Sequence, residues 1–191
     1  MVIYFVTSNK GKFDWARRRL SNSGIQLKQK ELSIEESRDI NVEDVAQHKA
    51  KMAEKRIQKP FIIEDSGFCI TALNNFPATH IKLAINTIGT KGLLKLMKDT
   101  KNRNVIFKSA LIFSYNGQRK AFVCDDTGTL AKSENGNDLH GFNDLMKVFI
   151  PKGFKKTLAE MSGSEFKTYE KGIEEIDHYC QFLKWFSTNY E

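Results

Sequence analysis

Cysteine and proline are scarce in this 191-residue chain, with three of each. Cys69, Cys124 and Cys180 are odd in number and widely spaced, which excludes both a zinc pattern and a disulfide framework. They are expected to be free thiols of a reducing cytoplasm. Twelve glycines and three prolines are too few for a low-complexity or collagen-like chain. No apolar run approaches the roughly 20 residues of a membrane span. The opening run Met1-Val2-Ile3-Tyr4-Phe5-Val6 has no basic flank and is cut short by Thr7-Ser8-Asn9-Lys10. It therefore reads as a first strand and not as a signal peptide. The expected setting is soluble and cytoplasmic, with no membrane partner.

What remains is ordinary globular material: 40% hydrophobic and 28% charged residues. The length suits one large domain, residues 1–191, or two lobes sharing a cleft. Thirty Lys and Arg against 23 Asp and Glu leave a net charge of +7, which favours anionic partners such as nucleotides or nucleic acid. Nucleic acid is not expected, because no recognition module or aromatic-basic signature accompanies the charge.

Val2 to Val6 predicts a strand, and Phe13, Trp15, Ala16 and Leu20 at helical spacing predict a helix after a polar turn. Ile25 to Lys28 predicts a second short strand. Val42, Val45, Ala46, Ala50, Ala53 and Ile57 predict a helix from Asn41 that ends before Pro60. Phe61-Ile62-Ile63 fits a short buried central strand, followed by an acidic turn at Glu64-Asp65-Ser66-Gly67. A helix is expected near Thr90. Asn116-Gly117 between two strand-like runs predicts a long hairpin, since both central residues need positive φ. Ile173, Ile176, Cys180 and Leu183 predict an apolar stripe on one terminal helix. The order is mixed α/β.

Three segments offer chemistry. Thr7-Ser8-Asn9-Lys10-Gly11-Lys12 joins a strand to a helix and reads as an anion site with lysines, or as a plain capping turn. The spacing favours the capping turn, because it is neither a Walker A nor a dinucleotide fingerprint. Asp65, just past a central strand, stands where ligands bind in open α/β sheets and where a carboxylate holds Mg²⁺ or positions a water. An Asp-Ser-Gly turn is an equally good reading. Glu35, Glu36 and Asp39 could complete a metal site, against the stronger reading of a solvated loop. The histidines 48, 80, 140 and 178 show no ligand spacing, and a Gly-x-Ser-x-Gly elbow is missing. Lys49, Lys51 and Lys82 matter in aggregate, since a triphosphate needs several cations.

Together these segments resemble the inosine/xanthosine triphosphate pyrophosphatase family, which removes ITP-like and XTP-like purine nucleotides from the cell pool. Its opening Thr-x-Asn-x-x-Lys is here Thr7, Asn9 and Lys12. Its Glu-Asp-(Thr/Ser)-Gly, then Ala-Leu-Asn and Phe-Pro, then Lys, is here Glu64 to Gly67, Ala72 to Pro77, and Lys82. The best matches to its Glu before the second helix and its Lys within it are Glu36 and Lys49. Phe149-Ile150-Pro151-Lys152-Gly153, Thr157 to Met161, and Glu170-Lys171 follow in order.

The resemblance implies an elongated, twisted mixed sheet with flanking helices and two lobes around a central nucleotide cleft, commonly as a homodimer. It implies Mg²⁺-dependent cleavage between the α- and β-phosphates, giving monophosphate and pyrophosphate. Lys12, Lys49 and Lys82 would hold phosphates, and Glu36 and Asp65 would bind Mg²⁺ or orient the water. That makes Asp65, Lys12 and Glu36 the catalytic set. Thr7, Ser8, Asn9, Ser66, Gly67, Phe142 and Lys171 join the lysines as substrate-binding residues.

The chain departs from the family at the base end. Gly141-Phe142-Asn143-Asp144-Leu145 replaces Phe-Gly-(Trp/Tyr)-Asp-Pro, and Ser-His-Arg, which reads the 6-keto base, has no Arg counterpart before His178. Two alternatives follow: the same chemistry with altered base specificity, or a non-catalytic nucleotide- or nucleic-acid-binding relative.

Overall fold

The computed structural model describes residues 1–35, 37–137 and 144–190. Along the chain lie β1 (Val2–Val6), α1 (Lys10–Arg19), β2 (Gln26–Lys30), α2 (Val42–Glu54), β3 (Phe61–Ile70) and β4 (Pro77–Ala78). Then come α3 (Ile81–Thr87), α4 (Gly89–Leu96), β5 (Asn104–Tyr115), β6 (Gln118–Leu130), β7 (Phe149–Pro151), α5 (Gly163–Gly172) and α6 (His178–Tyr190). The strands form one mixed sheet in the order β2-β1-β3-β5-β6-β7, with β4 paired to β3. The mixed α/β class expected from the sequence is the observed one.

The chain divides into two compact units. The first holds Met1–Ser66, Ser109–Cys124 and Glu175–Glu191; the second holds Gly67–Lys108 and Asp125–Glu174.

In the first unit β1 runs parallel to both β2 and β3, with Phe5 opposite Gln29 on one side and Ile62 on the other. Parallel neighbours need crossovers, and α1 and α2 supply them. Successive strand residues face opposite sides of a sheet, so each strand feeds two cores. Ile3, Phe5, Ile62, Leu111 and Phe113 join Ala16 and Leu20 around α1 and Tyr179, Phe182 and Phe186 of α6. Val6, Phe61, Ile63, Ala110 and Ile112 join Val42, Ala46, Ala50 and Ala53 of α2. Burial on both faces explains why Phe61-Ile62-Ile63 is apolar without alternation. α2 starts where the sequence places it: the Asn41 side chain accepts the N–H of Glu43 at 2.9 Å, and Glu43 and Asp44 complement the helix dipole.

The second unit has its own core. The rings of Phe68, Phe107 and Phe149 meet at centroid distances of 5.8 and 6.1 Å. β6 pairs antiparallel with β7, Gly128 opposite Pro151. Thr157 with Glu160, and Ser162 with Glu165, form reciprocal capping boxes at successive helical starts.

Two expectations change. The acidic turn after Ile63 is absent, because β3 runs straight through Glu64-Asp65-Ser66-Gly67 to Ile70. β1 pairs with its beginning and β4 with Phe68 and Cys69, so both ends are held extended despite the turn-forming residues between them. The terminal stripe does not lie on one helix either. α5 stops at Gly172, and a fresh start at Asp177, whose Oδ1 accepts the N–H of Cys180 at 2.9 Å, leaves Ile173 and Ile176 in the connection. Ile176 is 42% exposed there. The Asn116-Gly117 hairpin is as expected, with φ of 51° and 74°.

Candidate functional site

The polar turn after β1 first satisfies itself. The Asn9 side chain caps α1 by accepting the Lys12 N–H at 3.0 Å, and the Asn9 N–H donates to Thr7 Oγ1 at 3.0 Å. The capping reading of this segment therefore describes Thr7 and Asn9. Gln29 Nε2 donates to the Thr7 carbonyl at 3.0 Å, tying the turn to β2. Ser8 is exposed.

Capping aims Lys12, in the first turn of α1, at β3. Its Nζ lies 3.6 Å from Glu64 Oε1 and 3.5 Å from the Glu64 carbonyl oxygen. The β1–β3 register puts Glu64 and Asp65 level with the carboxyl end of β1, where open α/β sheets offer their ligand sites. Asp65, buried, pairs through Oδ2 with the ammonium of Lys49 on α2, while its Oδ1 accepts the Ser66 N–H at 2.8 Å. Two lysines from two helices thus flank two consecutive carboxylates.

Glu64 has further partners. Tyr179, in α6, donates its hydroxyl to Glu64 Oε2 at 2.6 Å. Burial, and then the Glu64 carboxylate, push the Tyr179 phenol well above its ordinary range, so it keeps its proton. His178 Nε2 lies 3.9 Å from Glu64 Oε1, and neither ring nitrogen has a hydrogen-bond partner among the described residues. Burial depresses its pKa against the pull of Glu64 and Asp177. Asp177 accepts from Arg19 at 3.1 Å.

The remaining sequence candidates distribute as follows. Ser66 is half-buried in β3, its N–H taken by Asp65. Gly67, Lys82 and Lys171 belong to the second unit: Gly67 is buried in β3, while Lys82 on α3 and Lys171 in the last turn of α5 are exposed. Glu36 and Phe142 lie outside the described residues. Glu35 is exposed, and Asp39 turns its Oδ1 to the Asn41 N–H at 2.9 Å. Lys51 is exposed on α2.

Sequence reasoning did not single out Glu64 or Tyr179, which the fold brings into contact. Glu64 stood inside a quoted motif but drew no assignment, and nothing in spacing links it to a tyrosine 115 residues away.

Among the described residues no three His, Cys, Asp or Glu side chains are arranged so as to hold a metal ion by themselves. Mg²⁺ does not require such a cage, since it commonly binds one or two carboxylates together with substrate phosphates and waters. Asp65, a buried hard-oxygen donor paired with a single ammonium that phosphates can draw away, fits that mode.

Residues 3–171 match the Ham1 family. A dITP/XTP pyrophosphatase of Thermococcus kodakarensis is 36% identical over 184 residues, covering 96% of this chain and 98% of its own. One of Hyperthermus butylicus is 32% identical over 183 residues, covering 96% and 95%. Among solved structures, the Staphylococcus aureus Ham1 protein shares the fold at a TM-score of 0.79 and 20% identity over the whole of both chains. A nucleoside-triphosphatase, dITP/XTP pyrophosphatase, of Mycobacterium abscessus does so at 0.76 and 23%, over 92% and 96%.

Proposed function

This chain belongs to the Ham1 family, and from that premise we propose that it hydrolyses the deaminated purine nucleotides ITP, dITP and XTP. The observation that carries this reading is the pair of lysine–carboxylate contacts in mid-β3, level with the carboxyl end of β1: Lys12 with Glu64 and Lys49 with Asp65.

Before substrate arrives, these contacts keep two ammonium groups stationed without leaving buried charge unpaired. A polyphosphate tail offers denser negative charge than a single carboxylate and attracts both ammonium groups. Lys12 presents three donors, so it can bridge a phosphate oxygen and Glu64, whereas Lys49 is drawn off Asp65. Displacing Lys49 releases Asp65 Oδ2, the described oxygen best placed to hold Mg²⁺ or to orient a water. Mg²⁺, bound with the phosphates, supplies charge neutralisation at the phosphoryl oxygens. In-line attack by water on the α-phosphorus forms the new P–O bond as the α–β bridge breaks, giving a monophosphate, with pyrophosphate as the leaving group. Glu36 and Lys82 remain part of this reading as a second acidic group and a further phosphate cation, and Lys171 as a substrate-binding residue. A homodimer working in the cytoplasm is the expected setting.

The test is a nucleotide panel with Mg²⁺: ITP, dITP and XTP beside the four ordinary triphosphates, with monophosphate and pyrophosphate measured separately. Turnover of the first three to pyrophosphate is the expected result. Orthophosphate with diphosphate, or no turnover, would sink the reading.

A further inference from the structure

We propose that Tyr179 is a positioning residue for Lys12, acting through Glu64. The proposal rests on the function just described in treating Lys12 as a phosphate-binding group, and Tyr179 itself lies beyond the segment that matches the family, which ends at 171.

The two oxygens of Glu64 have separate tasks. Oε2 accepts the Tyr179 hydroxyl at 2.6 Å, a short charge-assisted bond. Oε1 is left facing Lys12 Nζ at 3.6 Å. The Tyr179 ring is 0% exposed and wedged in the core with Phe5, Leu20 and Phe182, so its hydroxyl is a fixed point. A carboxylate anchored at one oxygen cannot turn both onto the ammonium. The Lys12 contact is accordingly loose, and the side chain stays 26% exposed, with donors left for a phosphate.

A merely structural role for the hydroxyl explains less. A buried tyrosine needs a partner, but a backbone carbonyl satisfies it without burying a charge. Here the partner is a carboxylate whose side chain is only 8% exposed, an arrangement that is costly unless the carboxylate is paired elsewhere. Lys12 is that pair. His178, the other group facing Glu64, is kept uncharged by burial and leaves Lys12 as the cation.

Inorganic tripolyphosphate, titrated calorimetrically in Mg²⁺ buffer, reads Lys12 without depending on turnover. Tyr179→Phe keeps the ring and removes the oxygen, and it is expected to weaken binding about tenfold, the loss of one hydrogen bond to a charged group. In a Lys12→Ala background the same change is expected to have no further effect. Glu64→Gln supplies an opposite-sign check, decisive also should Tyr179→Phe fail to fold. Removing a negative charge strengthens anion binding on simple electrostatics, whereas loss of positioning weakens it. Unchanged affinity in Tyr179→Phe, a full additive effect on top of Lys12→Ala, tighter binding in Glu64→Gln, or no binding by the wild type would each overturn the proposal. Wild-type tripolyphosphate binding with no turnover of any nucleotide would instead defeat the activity alone.

Discussion

Glu64 and Asp65 are neighbours on one strand, yet each is met by a lysine from a different helix: Glu64 by Lys12 of α1, Asp65 by Lys49 of α2. The period-two alternation of a strand is the cause. Glu64 continues the face of Ile62, which packs with α1 and α6, and Asp65 continues the face of Ile63, which packs with α2. One extended dipeptide therefore collects cations from both sides of the sheet.

Asp65→Asn keeps the shape and the Ser66 contact but removes the charge. Turnover of dITP and XTP is expected to fall more than about a hundredfold, on the scale of losing an essential charged group. The thermal transition should remain cooperative. Activity within a few-fold of wild type would remove Asp65 from the mechanism.

Lys49→Ala leaves the Asp65 carboxylate buried and unpaired. A loss of about 1–3 kcal/mol in unfolding free energy is expected, below the full cost of a deeply buried pair because Lys49 is partly exposed. Adding Asp65→Asn should restore most of it. Denaturant titration of the single and double variants checks this, and a double variant no more stable than Lys49→Ala would contradict it.

Asp126 sets a pH dependence in the second unit. Burial, opposed by the hydroxyl of Tyr169 at 2.6 Å, raises its pKa to about 6. A raised carboxyl pKa means the folded state binds the proton more tightly than the unfolded chain. Its stabilising effect is thus complete below about pH 4 and is lost as pH rises through about 6, a change of about 2–3 kcal/mol. Asp126→Asn should abolish this component. Melting temperatures from pH 4 to 7 give the comparison, and identical slopes in both proteins would refute it.

Gly128 admits no side chain. A Cβ there would sit 2.3 Å from the Ile150 carbonyl oxygen and 2.6 Å from the Phe149 ring. Gly128→Ala should cost about 2 kcal/mol or more by forcing β6 and β7 apart. At Gly117, where nothing lies within 4 Å and only the φ of 74° is unfavourable, Ala should cost about 1 kcal/mol. Equal losses at both positions would show that crowding is not the reason.

Much of the frame was legible from local pattern. Val2–Val6 ends where its apolar run ends, and α2 runs between its Asn41 cap and the approach to Pro60. The hairpin turns at Asn116-Gly117 because few other dipeptides tolerate two positive φ values. The ordered motifs pointed to the family before any geometry was known. Patterns misled where long-range pairing overrode local preference. Turn-forming Asp65-Ser66-Gly67 became mid-strand because β1 and β4 pair on either side of it. The even stripe from Ile173 to Leu183 concealed a new helix start at Asp177.

The amino-acid sequence alone determined the elements whose causes are local, and the identity of the charged residues available for chemistry. Which carboxylate answers which lysine was decided only in the folded chain. That choice depends on the face each side chain of β3 presents and on the helix lying over that face, and both follow from strand register. The hydroxyl of Tyr179 reaches Glu64 across 115 residues for the same reason: α6 packs on the face that Ile62 and Glu64 share, a placement set by burying its aromatic side and written in no spacing along the chain.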